Sequence, residues 1–452
     1  VIARLAGLPS TWRRSATALA GLAALAGSLV RPGAVRAESV PPRETEISYY
    51  NDLFEHALYR PAARQLDPSR WVRRLSGSRR EALNVDARDQ VRLPSTWWQP
   101  RVGYRPVSVD DMLHGPGSGT GPAPGRWTVT RGKTQGVTPG FFIKDAEGAS
   151  FIIKFDPPDY LEMATGADVV CSYLYWAAGY NVPDNSIVSF RAEDLDVAPT
   201  ATVTDQLGRK KPMTREYFDT IIARLPKQAD GTYRGLASRL LGGKPLGPFE
   251  YEGRRRDDPE DLIAHQHRRE LRGLWAIAAW TNHADVRGPN SLDMWVTEGG
   301  RSFVRHHLID FGSTLGSGAL AARSPQTGGE YFVDYGVMAR SLVTLGLRRA
   351  DWEKSIDPGL PSIGFMDAAT FDPRGWRPDY PNPAFDERTE ADVRWGVGIV
   401  AGFSDELIRA AVARGKYSDP RASEYLAQVL IQRRDMLVRA WLDSTAASAT
   451  RP

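Results

Sequence analysis

The stretch HADVRGPNSLDMWVTEGGRSFVRHHLIDFG, His283 to Gly312, decides the fold. It reads as a loop, a strand, a Glu-Gly-Gly turn, a second strand and a closing Asp-Phe-Gly. Two β-rich runs separated by a glycine turn form a hairpin, which returns the chain to where it began. Asp310 is therefore delivered beside the loop that opens with Asp285. In that loop Arg287 follows Asp285 by two residues and Asn290 follows it by five. Phosphoryl transfer requires a protein to position a triphosphate, neutralise its charge and orient the acceptor hydroxyl. The residues suit those demands. Asp285, beside Arg287, accepts the hydroxyl proton, while Asn290 and Asp310 hold Mg²⁺ or Mn²⁺. An Asx-type turn before Gly-Pro explains the hexapeptide taken alone. The hairpin that brings back a second carboxylate favours chemistry.

Working toward the N-terminus, WTVTRGK, TQGVTPG, FFIKD, the turn AEGA and SFIIKFD read as strand, glycine loop, strand, turn and strand. Lys154 ends an apolar strand, eighteen residues beyond Gly136. It is placed to meet the phosphates of ATP. Lys133, Gly136 and Thr138 belong to a loop that lacks a full G-x-G-x-x-G pattern, so its phosphate-covering role is inferred from position. Leu161 to Ala178 has helical periodicity, and Glu162 at its start is a candidate partner for the Lys154 ammonium. A helix-start carboxylate is also what the macrodipole favours. The strand SIVSF follows, and residues 191–212 read as a polar loop.

Beyond Thr214 helical patterns dominate, in REYFDTIIARL, HRRELRGLWAIAAW, YFVDYGVMARSLVTLG, ADVRWGVGIVAGF and RASEYLAQVLIQRRDMLVRAWL. The expected organisation is a leader over 1–37, an extension and Gly/Pro linker over 38–125, a β-rich lobe over 126–212 and a helical lobe over 213–445. The fold class is α+β, a bilobal arrangement with a small sheet and one main helix in the first lobe.

Composition narrows the function. The chain has 58 Lys and Arg against 54 Asp and Glu. The first 37 residues hold five Arg and no acid, so the rest is nearly neutral. That balance argues against a nucleic-acid partner, which needs a cationic surplus to release counterions. Arg13 and Arg14, the run ATALAGLAALAGSLV and Val35-Arg36-Ala37 have the order of a signal peptide. The apolar run falls short of the roughly 20 residues that span a bilayer, so a cleaved leader, an extracytoplasmic location and no retained membrane span are expected. Cys171 is the only cysteine, which excludes an intramolecular disulfide. His265, His267, His283, His306 and His307 show no metal-ligand spacing. GRRRDDPEDL, residues 253–262, reads as a solvated block of opposed charges.

FIIKF with Lys154, Glu162 ahead of WAAGYNVPDN, WTNHADVRGPN and HHLIDFG together resemble an atypical member of the protein-kinase-like superfamily. They are similar to segments of HipA-type bacterial serine kinases, phosphatidylinositol 3/4-kinase-like proteins and secretory-pathway kinases, over roughly residues 132–316. The resemblance implies a bilobal kinase-like fold with ATP and Mg²⁺ in the cleft. It carries the ATP-contacting lysine to Lys154, its acidic partner to Glu162, the catalytic aspartate to Asp285 and the metal ligands to Asn290 and Asp310. Asn-His-Ala stands before Asp285 and no Ala-Pro-Glu follows Asp-Phe-Gly. The acceptor is thereby left open among protein, lipid and small molecule. Two alternatives also stay open: an inactive kinase-like scaffold, and an enzyme that transfers AMP.

Overall fold

The computed structural model describes residues 40–47, 80–133, 140–204, 209–345 and 350–443, with isolated positions between them. The expected leader lies outside the described residues, as do Gly136 and Thr138 of the expected phosphate loop. The described chain is α+β. A short helix α1 (Val109–His114) precedes a seven-stranded mixed sheet and a separate three-stranded sheet, with helices between and after them.

The large sheet contains β1 (Trp127–Gly132), β2 (Gly140–Lys144) and β3 (Ser150–Lys154), joined antiparallel as the period-2 runs require. Helix α2 (Met163–Ala177) and strand β4 (Asn185–Phe190) follow. Residues 191–212, expected as loop, instead supply β5 (Leu195–Thr204) and β6 (Lys210–Pro212). Pro199 hides the strand pattern. β5 runs parallel to β1, with Val129 opposite Val197 and Arg131 opposite Thr202, and the irregularity between them accommodates the proline. Helix α3 (Arg215–Ile222) leads to β7 (Tyr233–Arg239), which inserts between β3 and β4. The sheet therefore draws on chain beyond the expected boundary at Pro212.

Strand β3 alternates between the two faces of the sheet. Phe151 and Ile153 enter a core formed with Val129, Phe141, Phe190 and Phe218 of α3. Lys154 belongs to the opposite face by the period of two.

A second core surrounds α2 and α4 (Arg269–Thr281) together with α6 (Pro383–Asp386), α7 (Glu390–Ala401), α8 (Asp405–Ala413) and α9 (Pro420–Trp441). All thirteen residues of α4 are buried. Its charged first turn survives burial because Arg269 and Arg272 meet Asp392 of α7 at 2.7 Å and 3.3 Å, while Glu270 accepts from Asn84. Backbone approaches backbone at Gly273 and Gly396. A Cβ on Gly273 would lie 2.3 Å from the Trp395 ring, and one on Gly396 would lie 2.3 Å from the Gly273 carbonyl oxygen. The extension packs on the same body, where Trp98 is buried and donates from Nε1 to the Ala178 carbonyl at 2.8 Å.

The small sheet comprises β8 (Lys244–Gly247), β9 (Ser291–Glu298) and β10 (Arg301–Leu308), with β9 central. β9 and β10 form the expected hairpin, in register from Arg301 opposite Glu298 to Leu308 opposite Ser291. Its turn, Gly299-Gly300, has φ of 55° and 73°, as a two-residue primed turn requires. A further helix, α5 (Tyr335–Val343), follows the Asp-Phe-Gly turn. No helix of the described residues is long and apolar enough to cross a membrane.

Candidate functional site

Where the hairpin closes, the Ile309 N–H donates to the Asn290 carbonyl at 3.1 Å. The two sequence segments that carry Asn290 and Asp310 are thus stitched together at the backbone. Asp310 has a left-handed backbone, φ 61° and ψ 66°, a strained conformation for a non-glycine residue. Phe311 behind it is buried between Tyr175 and His283, at ring distances of 4.8 Å and 5.6 Å. The turn is anchored by this aromatic plug, and the Asp310 carboxylate, 52% exposed, is left facing outward.

The Lys154 ammonium stands 3.0 Å from Asp310 Oδ1 and 3.2 Å from Asp168 Oδ2. Asp168, in the second turn of α2, is 2% exposed. It also accepts from Asn185 Nδ2 at 2.9 Å and from the Phe311 N–H. One buried carboxylate therefore joins the strand lysine, the start of β4 and the Asp-Phe-Gly turn. Burial pushes Asp168 upward in pKa, with Lys154 opposing and Asp310 adding to the shift. Burial alone would lower Lys154, but Asp168 and Asp310 overcome it and hold the ammonium charged above its ordinary range. The same ammonium holds the Asp310 carboxyl below the usual carboxylate range. Burial and the nearby Lys154 push Lys133 down to about 8, with Asp310 and Asp168 opposing, which places a second amine in the field of this cluster.

Glu162 is not the partner of Lys154. It precedes α2 with a left-handed backbone, φ 70°, and its Oε2 accepts from the Ser418 N–H at 2.8 Å. The true start of the helix is capped by Asp156, whose two oxygens take the Thr165 N–H and hydroxyl at 2.8 Å and 2.7 Å. Asp168, six residues further on, is the carboxylate that sequence reasoning missed. A signal was present: MATGADVVCSYLYWA carries a single charge in an otherwise apolar or small-residue helix, and a buried carboxylate needs a partner.

The loop after α4 begins at Asn282, whose left-handed backbone ends the helix. His283 Nδ1 lies 2.8 Å from the Tyr175 hydroxyl, and burial pushes its pKa down to about 4, so the imidazole is neutral near pH 7. Asp285 accepts from Arg287 Nε at 2.6 Å, and both side chains are largely buried. Asn290 Nδ2 donates to the Asp285 carbonyl at 2.7 Å, which turns the amide oxygen away from that carbonyl.

A strip that no sequence motif marks supports this loop from outside. The Asp379 N–H donates to the Ala284 carbonyl at 2.8 Å, Asn382 Nδ2 to the Val286 carbonyl at 3.0 Å, and Tyr380 lies under the Arg287 guanidinium at 5.4 Å. Asp379 is itself paired with Arg323, from the segment beyond Asp-Phe-Gly.

The donors fit a hard divalent cation shared with phosphate. Asp310 offers carboxylate oxygens and Asn290 an amide oxygen, and such ions take one or two protein carboxylates with the remainder from substrate. Among the described residues no cluster of three or more His, Cys, Asp or Glu forms a self-sufficient metal cage.

No protein-family model matches the chain, and no curated relative matches it. Among solved structures it is similar to a Golgi casein kinase, at 9% identity and a TM-score of 0.31, covering 75% of this chain and 77% of that one. The Golgi casein kinase with Mn/ADP bound is similar at 10% identity and a TM-score of 0.30 over the same shares. Hydra Fam20 with sugar is similar at 12% identity and a TM-score of 0.29, covering 75% of this chain and 96% of that one. These likenesses are distant, and the residues above carry the functional reading.

Proposed function

We propose that this chain is a kinase-like phosphotransferase that uses ATP and Mg²⁺ or Mn²⁺ to phosphorylate a hydroxyl acceptor, and that it works outside the cytoplasm. One observation carries the reading: a single ammonium, Lys154, is held between Asp168 of α2 and Asp310 of the turn that closes the hairpin. A charged lysine fixed beside an outward carboxylate is the pairing that a metal-bound triphosphate needs.

In this reading Lys154, with Lys133 nearby, would take the phosphate oxygens, and Asp310 and Asn290 would take the cation. The cation would supply charge neutralisation at the transferred group. Asp285 would accept the proton of the acceptor hydroxyl as its oxygen bonds the terminal phosphorus and ADP departs. Arg287, bonded to Asp285, would keep that carboxylate oriented.

The test is ATP binding to the purified chain, read as a shift in melting temperature with and without divalent metal. Wild type should shift only with metal, and Asp310→Ala should not shift. Equal shifts in both, or none in wild type, would remove the reading and leave a scaffold. The mass added to a modified acceptor then separates phosphate transfer from AMP transfer.

A further inference from the structure

Helix α5 buries none of its residues. A nine-residue helix is marginal in water, and helices in folded proteins owe their stability mostly to a buried apolar stripe. Tyr335, Met338, Leu342 and Leu345 recur at helical spacing along α5 and its continuation, and all are exposed; Leu342 is 77% exposed and Leu345 84%. Phe332 before the helix and Leu347 after it extend the same apolar surface. Large aliphatic side chains gathered in one such element mark a contact surface.

The root of the helix is held firmly. Asp334 caps it through the Gly336 and Val337 N–H groups and pairs with Arg377 at 2.6 Å. The Phe332 N–H donates to the Asp379 carbonyl at 2.7 Å, and the Asp379 N–H bonds the catalytic loop at Ala284. The exposed helix therefore grows from the strip that supports Asp285.

Charge selects the occupant. From Tyr335 to Ala350 the sequence holds Arg340, Arg348 and Arg349 and no acid, in a chain that is otherwise nearly balanced. A second copy docked through the same face would set these cations against their own equivalents. Apolar side chains interleaved with arginine fit the boundary between acyl chains and anionic headgroups. We propose that α5 docks on an anionic lipid surface and so brings the loop that carries Asp285 close to that surface. The docking itself does not depend on phosphotransfer.

The experiment is cosedimentation of the full chain with vesicles of phosphatidylcholine alone and of equimolar phosphatidylcholine and phosphatidylglycerol. The apolar run of residues 16–30 is common to wild type and variants, so the difference between them reports α5. Wild type should bind the anionic vesicles more tightly than the neutral ones. Leu342→Asp with Leu345→Asp should weaken that binding by about tenfold or more. Arg340→Glu should weaken it by about fivefold, with the loss shrinking as salt rises. These positions are exposed, so melting temperature and the ATP-induced shift should stay at wild-type values, which keeps the test separate from the proposed activity. Equal binding by wild type and the double variant would overturn the proposal, as would equal binding to both vesicle types. A concentration-dependent dimer lost in the double variant would assign the face to a second copy and overturn it too.

Discussion

Replacing Asp168 by Asn tests whether the helix carboxylate organises the site, and Glu162→Gln is its control. In the wild type Asp168 takes the Lys154 ammonium at 3.2 Å and Asn185 Nδ2 at 2.9 Å. The variant keeps volume and shape but loses the charge. Asn185 has a buried, unpartnered Oδ1, so a flip of its amide would accept from the new Asn and keep that contact satisfied. The effect is thus concentrated on Lys154. Removing one partner from a buried pair costs roughly 3–5 kcal/mol. Asp310 remains at 3.0 Å and the buried carboxylate no longer has to be desolvated, so a loss of about 2 kcal/mol is expected. Lys154 is then held by Asp310 alone, and affinity for ATP with metal should fall about tenfold to a hundredfold. Glu162→Gln should cost less than about 1 kcal/mol, because the amide oxygen can still accept from the Ser418 N–H. Its nucleotide affinity should stay at the wild-type value. Urea unfolding gives the first quantity and calorimetric titration with ATP and Mg²⁺ the second. Wild-type affinity in Asp168→Asn, or an equal loss in Glu162→Gln, would refute the assignment.

Asp285→Asn should bind ATP as wild type does while turnover on any acceptor drops by about a hundredfold or more, measured by phosphate incorporation once an acceptor is found. Gly273→Ala should destabilise by roughly 1–3 kcal/mol, because its Cβ would lie 2.3 Å from the Trp395 ring; thermal unfolding checks this. The pH response should be acid-sensitive. Burial pushes His283 down to about 4, and burial aided by Arg305 does the same to His307. The unfolded chain then takes up those protons first, so stability is lost as pH falls from about 6.5 toward 4, by up to about 3 kcal/mol for each imidazole. Urea midpoints across that window should decline, and His307→Gln should flatten the decline.

Lys154, Asp285, Asn290 and Asp310 were legible because each sits in a local pattern: the end of an apolar strand, a loop spacing, and the far end of a hairpin whose register was implied by its turn. Asp168 was not, because Glu162 occupied the helix start where a carboxylate attracts notice. Physics pointed the other way. A carboxylate at a helix start is already satisfied by backbone N–H groups and the macrodipole. One embedded among Val169, Val170, Cys171 and Leu174 has nothing local to offset its burial and must be balanced by a cation from another element. Strand β5 was missed for a related reason, since Pro199 breaks the alternation that its pairing with β1 restores around an irregularity.

Asp379, Tyr380 and Asn382 lie about ninety residues beyond the loop they support, and their bonds to the Ala284 and Val286 carbonyls leave no periodic trace. Helix α5 shows the same limit in another form. Its periodicity correctly implied a helix, but periodicity states only which side chains share a face. Whether that face meets the protein's own core or an external surface depends on what the rest of the chain places opposite it. For α2 and α4 the chain supplies a core, and for α5 the described residues supply none. The hydrophobic drive that α2 satisfies internally is left, in α5, to something outside the fold.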